Sequence, residues 1–162
     1  MNRLTRIFRH GRVARWHTNP DLAHTRDTID GHMSRTARMI LALHPMPSPK
    51  LIFAALTHDD GEHVTGDLPP AAKRRLGFKV ALDIMERNVR DEIWGPIPIT
   101  KEDERWLVFA DRLDAWMWVQ HHAPRVLHEP EWVEAQQWLK SEAIGIEALD
   151  AYWLITAAET AR

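Results

Sequence analysis

The sequence contains no cysteine, which excludes disulfide bonds and thiolate metal ligands alike. Any bound metal ion would therefore be held by histidine, aspartate or glutamate. Long apolar runs are missing too, and the longest, residues 51–56, is far too short to span a bilayer. The formal net charge is only −2, and no basic face is sustained along the chain. Neither a membrane nor a nucleic acid polymer is therefore expected as a partner.

The sequence also lacks the strict alternation of apolar and polar residues that is typical of β-strands. Apolar residues recur instead at helical spacing, with prolines between the runs. The length of 162 residues, with 44% apolar and 27% charged residues, is typical of one globular domain. We therefore expect a single all-α domain over residues 1–162, a bundle of about six to seven helices. Nothing in the sequence indicates export, so a cytoplasmic location is expected.

Proline, glycine and capping residues predict where the helices begin and end. Ser48 followed by Pro49 is a start signal, and Thr100 with Asp103 resembles a capping box. The segment that follows Ser48 and Pro49, residues 50–63, is apolar on nearly all sides until Thr57, which predicts a buried central helix. The predicted helices cover residues 3–14, about 29–44, 50–63, 71–92 and 100–122, with two more after Pro130.

Four polar side chains fall on or beside helix faces that are otherwise apolar. His58 and Asp59 continue the apolar stripes of the central helix, Asp111 lies at helical spacing within the long helix, and His32 lies beside the stripe of the second helix. A buried carboxylate needs a cation or several hydrogen bonds. One such residue alone is more often structural, but together the four form a nitrogen and oxygen ligand set for one divalent cation.

The arrangement of His32, the pair His58-Asp59 and Asp111 resembles the H…HD…D pattern of the HD-domain metal-dependent phosphohydrolases. The resemblance implies an all-helical HD domain in which these four residues bind one divalent cation, with Co, Mn, Zn, Mg and Fe as candidates. A bare His-Asp dipeptide is common, so the resemblance depends on the histidine and aspartate placed before and after it.

A longer block narrows the resemblance to the 5′-deoxynucleotidase branch of that superfamily. Residues 58–70, HDDGEHVTGDLPP, carry a glutamate three residues after the aspartate and then a Thr-Gly-Asp-Leu-Pro turn, as in that branch. Lys73 follows the turn, and Arg15-Trp16 matches an Arg-Trp pair upstream. The resemblance covers residues from about 10 to 115 and implies hydrolysis of phosphate from 2′-deoxynucleoside 5′-phosphates. A homo-oligomer, a dimer or larger, is expected.

The matched positions carry implied roles. Glu62 would act as the general acid/base toward the attacking water. Arg15 and Lys73 would hold phosphate oxygens, and both are expected to lie outside the core. Trp16 would pack against the sugar or base, or else serve as a core staple between the first and central helices. Asp67 would orient the ribose or the turn, or else cap the next helix.

Departures from the family pattern leave two alternatives open. The residues around His32 are Gly-His-Met where the family tends to Glu-His-Ser, and the stretch between Lys73 and Asp111 is short. Short phage-type members resemble dATP triphosphohydrolases, so release of triphosphate from a deoxynucleoside triphosphate is one alternative. An inactive nucleotide-binding HD domain is the other, and Glu62 beside a full ligand set favours the enzyme.

Overall fold

The computed structural model describes residues 2–69, 73 and 77–160. These residues form eight α-helices, and the predicted all-α class is confirmed. None of the described helices combines the length and the apolar character needed to cross a membrane. The helices are α1 (Arg3–His10), α2 (Ile29–Leu43), α3 (Pro49–Ala55), α4 (Glu62–Thr65), α5 (Lys79–Trp94), α6 (Lys101–His122), α7 (Pro130–Gly145) and α8 (Leu149–Thr160).

The core is built around α6, which packs against α2, α3 and α7. Phe109, Leu113 and Trp116 are buried at helical spacing along it. The helix begins at the predicted capping box, in which the Thr100 hydroxyl accepts from the backbone N–H of Asp103 and the Asp103 carboxylate accepts from that of Thr100. Two of the four backbone donors at the start of the helix thereby gain partners.

The first helix is shorter than the predicted span of residues 3–14. It ends at His10, and the chain then runs extended against the segment that leads into α2. The backbone N–H of Arg15 donates to the carbonyl oxygen of Asp27 at 3.0 Å. This pairing closes the connection over residues 11–28 and replaces the last helical turn. It also places Arg15 and Trp16 within that connection and not at the end of a helix.

The predicted central helix over residues 50–63 is divided into α3 and α4 by tight turns at residues 56–61. The Thr57 hydroxyl donates to a backbone carbonyl one turn earlier, at 2.8 Å, and such bonds compete with regular helix geometry. His58 and Glu62 therefore do not lie on one continuous helix, as the prediction over residues 50–63 requires. The side chains of adjacent residues on a regular helix point about 100° apart. Because His58 and Asp59 lie in the turns, their side chains are not held to this angle.

In the described part of the chain, the helix that corresponds to the prediction over residues 71–92 is α5, which begins at Lys79. Residues 70–72 and 74–76 lie outside the described residues, so the start of that prediction falls outside them as well. Gly77 has a φ of +69°, a left-handed conformation that glycine adopts readily and that interrupts a helix. The next helix, α5, runs to Trp94 and stops at Gly95, where the sequence predicts a break.

Gly61 allows the turns at residues 56–61 to lie directly against α5. A Cβ atom on this residue would lie 2.0 Å from the backbone carbonyl oxygen of Glu86. Backbone atoms cannot rotate away as a flexible side chain can, so a side chain here has to push α5 and the turn apart. The close contact that Gly61 permits with α5 therefore determines the position of the segment that carries His58 and Asp59.

We predict that Gly61→Ala lowers the free energy of unfolding by about 3 kcal/mol, at the upper end of the usual cost of overpacking. The matched control is Gly77→Ala, whose Cβ meets no described atom within 4 Å and carries only the left-handed backbone cost of about 1–2 kcal/mol. Thermal and urea unfolding of both variants measure the difference. A loss for Gly61→Ala no greater than that of the control would contradict the steric explanation.

Candidate metal centre

Four side chains converge between α2, the turns at residues 56–61, and α6. His32 Nε2 lies 3.3 Å from His58 Nε2 and 3.4 Å from Asp59 Oδ2, and His58 Nε2 lies 3.4 Å from the same Asp59 oxygen. Asp111 Oδ1 lies 3.1 Å from His32 Nε2 and 4.0 Å from His58 Nε2. His32, His58 and Asp59 thus form a triangle of nearly equal sides, with Asp111 at its edge. We call these four residues the metal cluster.

The geometry of this triangle fits a bound cation. Ligand atoms about 2.1 Å from a tetrahedral metal ion lie about 3.4 Å from one another. Imidazole nitrogen together with carboxylate oxygen is a donor set that first-row transition metals accept. The three residues His32, His58 and Asp59 can therefore hold a metal ion.

The second ring nitrogen of each histidine already has an oxygen partner. His32 Nδ1 lies 2.7 Å from Asp114 Oδ2, and His58 Nδ1 lies 2.9 Å from the carbonyl oxygen of Ala55. Each oxygen is an acceptor, so each Nδ1 carries a proton and donates it. Metal-binding histidines commonly have such a partner, which orients the ring and leaves Nε2 for the metal.

The metal cluster is buried at the histidines and open to solvent at the carboxylates. The side chains of His32 and His58 are 0% and 12% exposed, whereas those of Asp59 and Asp111 are 23% and 39% exposed. The sequence predicted burial for both carboxylates, and both are only half-buried. Asp111 lies at the edge of the apolar stripe of α6 that faces solvent. A small ligand can therefore approach the metal cluster from that side.

Hydrogen bonds within the cluster change the protonation of His32. Burial lowers the pKa of His32, but the hydrogen bonds to Asp111, Asp114 and Asp59 outweigh it and raise the pKa well above 6.5. Burial raises the pKa of Asp59 and Asp111, and the adjacent histidines reverse this and lower both. A cation that binds at His32 therefore has to compete with a proton.

Glu62 and Lys73 form an adjoining network with Glu86. Lys73 Nζ lies 3.2 Å from Glu62 Oε1 and 3.0 and 2.9 Å from the two carboxylate oxygens of Glu86. Burial, together with the charges of Asp59 and Asp67, raises the pKa of Glu62 to about 9 against the opposing effect of Lys73. Glu62 Oε2 is buried with no hydrogen-bond partner in the described part of the chain. Glu62 therefore holds its proton at neutral pH in the cation-free protein, and the positive charge of a cation bound nearby would lower this pKa and favour the ionised form that can accept a proton.

Arg15 belongs to a buried group of four charged residues, which we call the ion cluster: Arg15, Arg35, Asp27 and Asp114. Arg15 Nη1 lies 3.2 Å from Asp27 Oδ2 and 3.4 Å from Asp114 Oδ2. Arg35 Nη2 lies 2.9 Å from Asp27 Oδ1, and its Nε lies 2.6 Å from Asp114 Oδ1. The expectation that Arg15 and Lys73 lie outside the core is wrong, since each is only 8% exposed. Carboxylate partners make this burial of charge tolerable.

Trp16 and Asp67 connect the segment before α2 with the segment after α4. Asp67 Oδ2 accepts from the backbone N–H of Trp16 at 3.0 Å, and the indole Nε1 of Trp16 donates to Asp27 Oδ2 at 3.2 Å. Trp16 has a φ of +62°, and strained backbone of this kind is concentrated at functional sites. Its ring is half-buried and packs partly on the core. The helix that Asp67 would cap begins outside the described residues.

Asp114, which contacts His32, and Arg35, which contacts Asp114, are two residues beside the metal cluster that the sequence reasoning missed. Asp114 follows Asp111 by three positions on α6, and Arg35 follows His32 by three positions on α2. Side chains three apart on a helix lie on the same face. The charged residues one turn after His32 and one turn after Asp111 could therefore have been predicted to lie beside the proposed ligands.

A cavity of about 320 Å³ lies outside the metal cluster, between α1, α2, α3 and α5. Its walls include Met33, Phe53, Leu56 and Trp94, and they are mostly apolar. It includes Thr57 and Asp60, which flank His58 and Asp59 in the sequence, but no residue of the metal cluster itself. The candidate metal site therefore does not open into this cavity.

Comparisons with protein-family models, with curated proteins and with solved structures find no match for this chain. The geometry of the metal cluster is therefore the basis for inferring a function. The resemblance to HD-domain phosphohydrolases stays a prediction from the sequence.

We predict that the protein binds one equivalent of Mn²⁺, Co²⁺ or Zn²⁺ and releases about one proton near neutral pH. The proton comes from His32, whose pKa is raised above 6.5 in the cation-free protein. Below that raised pKa the cation competes with the proton, so the apparent affinity rises with pH by up to about tenfold per unit and levels off above it. Titration calorimetry in two buffers of different ionisation enthalpy counts the released protons.

Two histidine variants serve as test and control for this prediction. His58→Ala removes one corner of the triangle and should abolish the measurable heat of binding. His121→Ala removes an exposed imidazole whose described ring contact is with His122, and it should bind as the wild type does. Equal binding by both variants would contradict the assignment of the site.

Proposed function

We propose that this protein is a metal-dependent phosphohydrolase of the HD-domain class that removes phosphate from 2′-deoxynucleoside 5′-monophosphates. The observation that carries the proposal is the convergence of His32, His58, Asp59 and Asp111 at one point, with both carboxylates open to solvent. A divalent cation bound there supplies Lewis-acid chemistry, which polarises a phosphoryl oxygen and makes water more acidic. Hydrolysis of a phosphate ester uses both effects.

In the proposed reaction, Glu62 accepts a proton from the attacking water and donates a proton to the leaving nucleoside. The attacking water loses a proton, and the 5′-oxygen of the leaving nucleoside gains one, so one group that both accepts and donates is sufficient. The contact of Oε1 with Lys73 fixes the orientation of the carboxyl group and leaves Oε2 without a described partner. We therefore assign the proton transfer to Oε2, the oxygen that Lys73 does not engage.

Arg15 supplies positive charge near the cluster. Burial lowers the pKa of Arg15, but the charges of Asp67, Asp111 and Asp59 raise it overall, which shows that the guanidinium lies within electrostatic reach of the open edge. Its Nη1 is engaged by Asp27 and Asp114. Arg15 would therefore act on a phosphate group only as a fixed charge that Asp27 and Asp114 partly compensate, without the bidentate grip that the resemblance implies.

Trp16 supports the proposed preference for the deoxy sugar. The centre of its ring lies 5.0 Å from the guanidinium carbon of Arg15, so a phosphate drawn toward Arg15 brings its sugar close to the indole. A flat apolar wall leaves a 2′-hydroxyl without room or a hydrogen-bond partner. Such a wall discriminates against an added hydroxyl by ~10² at most.

We expect release of inorganic phosphate from each deoxynucleoside 5′-monophosphate in the presence of Mn²⁺, Co²⁺ or Mg²⁺, with slower release from the matching ribonucleotide. The wild type should lose this activity in a chelator and regain it when cation is restored. Asp59→Asn and Asp111→Asn should reduce turnover to background, because each removes the charge of one proposed ligand. Anion-exchange chromatography identifies the released species.

The control for the ligand variants is Asp83→Asn, an aspartate that is paired with Lys79 on α5 and should not affect turnover. Deoxynucleoside triphosphates are tested in the same assay, and triphosphate as the product would show the alternative reaction. Wild-type rates in metal-free buffer or in Asp59→Asn would contradict the metal-dependent mechanism.

We predict that Glu62→Gln lowers kcat by roughly 10²–10⁴ while the cation content stays that of the wild type. Glutamine preserves the size of the side chain but cannot accept a proton. Glu86→Gln is the matched control, because it weakens the same lysine network at Glu86 and leaves the proton-transferring group intact. Cation content is measured by elemental analysis beside the steady-state kinetics. Loss of cation together with activity would mark Glu62 as a ligand instead.

A further inference from the structure

Asp114 contacts a histidine of the metal cluster from the side opposite the cation position. Its Oδ2 lies 2.7 Å from His32 Nδ1, and its side chain is only 1% exposed. An ionised carboxylate accepts hydrogen bonds and cannot donate them. The contact therefore requires a proton on Nδ1, and it leaves Nε2 as the nitrogen that offers its lone pair to a cation. The opposite tautomer would place a hydrogen where the cation binds.

The ion cluster holds this carboxylate in place. Arg35 donates from Nε to Asp114 Oδ1 at 2.6 Å and from Nη2 to Oδ2 at 3.1 Å, and Arg15 Nη1 reaches Oδ2 at 3.4 Å. Both oxygens are thus engaged by cationic groups. Rotation of Asp114 away from His32 would break a buried ion pair, which is strongly unfavourable.

Asp27 provides an internal comparison within the same ion cluster. It accepts from Arg15 Nη1 at 3.2 Å and from Arg35 Nη2 at 2.9 and 3.0 Å, and its side chain is also 1% exposed. The further described hydrogen bonds of its side chain are with Trp16 and Thr28, and neither of these belongs to the metal cluster. The two aspartates therefore share their arginine partners and their burial, but differ in contact with a proposed metal ligand.

We propose that Asp114 is a positioning residue that fixes the tautomer of His32 and thereby sets the affinity of the site for its cation. The inference rests on the proposed function, since it assumes that His32 is a ligand of the bound cation. Residues that hydrogen-bond to metal-ligating histidines typically contribute about 10–100-fold to metal affinity. The sequence resemblance assigns no role to Asp114, and the assignment comes from its contacts.

The test compares Asp114→Asn with Asp27→Asn by titration calorimetry with Mn²⁺ and by the visible absorption spectrum of the Co²⁺ form. Both variants remove one charge from the same two arginines. In Asp114→Asn the new amide can donate to Nδ1, which favours the wrong tautomer of His32. We expect about a 10–100-fold weaker affinity and an altered Co²⁺ spectrum for Asp114→Asn, and a much smaller change for Asp27→Asn, which reaches His32 only through the shared arginines. Thermal unfolding should show comparable losses of stability in both.

A measurement on the wild type keeps the proposal testable if Asp114→Asn does not fold. In ¹⁵N-labelled protein loaded with Zn²⁺, the ring nitrogen shifts of His32 should show a protonated Nδ1 and a metal-bound Nε2. The opposite assignment would overturn the proposal, as would equal losses of affinity in the two variants or a wild type that binds no cation. Tight cation binding without deoxynucleotide turnover would overturn the proposed function alone, because the two affinities would still decide the role of Asp114.

Discussion

The buried ion cluster is the interaction on which the rest of the site depends. It joins the connection over residues 11–28, which carries Arg15 and Asp27, to Arg35 on α2 and Asp114 on α6. Removing one partner from a buried ion pair costs about 3–5 kcal/mol, because the other charge stays behind unpaired. The three segments therefore have to pack together for any of these charges to be tolerated. That packing brings α2 and α6 into the register in which His32 meets Asp111.

Features that depend on neighbours in sequence were predictable. The capping box at Thr100 and the apolar spacing along α6 are encoded within a few residues, and both occur in the structure. The end of α1 and the division of the central helix were not predictable in this way. They depend partly on contacts between distant residues, namely the pairing of Arg15 with Asp27 and the packing of Gly61 on Glu86, which acts together with the local bond of the Thr57 hydroxyl. Helical periodicity contains no information about either contact.

The same distinction applies to the site. His32, His58, Asp59 and Asp111 could be grouped because histidines and carboxylates on apolar stripes need partners, and the structure brings the four together. The surroundings of Arg15 could not be derived, because a sequence shows where a cationic side chain is but not which carboxylate will neutralise it. Charge pairing at a distance of many residues is decided by the fold.

Negative charge at the open edge bears on how an anionic substrate could bind. Asp59 and Asp111 face solvent there, while Arg15 and Lys73 are engaged by carboxylates of their own. A phosphate monoester approaching this edge without a cation would meet mainly like charge, which opposes binding. Under the proposed function, charge compensation by a divalent cation is thus a condition for substrate binding as well as for hydrolysis. The coupling between two bound ligands is reciprocal. Under the proposed function, the cation therefore strengthens the binding of the phosphate ester by a certain factor, and the bound ester strengthens the binding of the cation by the same factor.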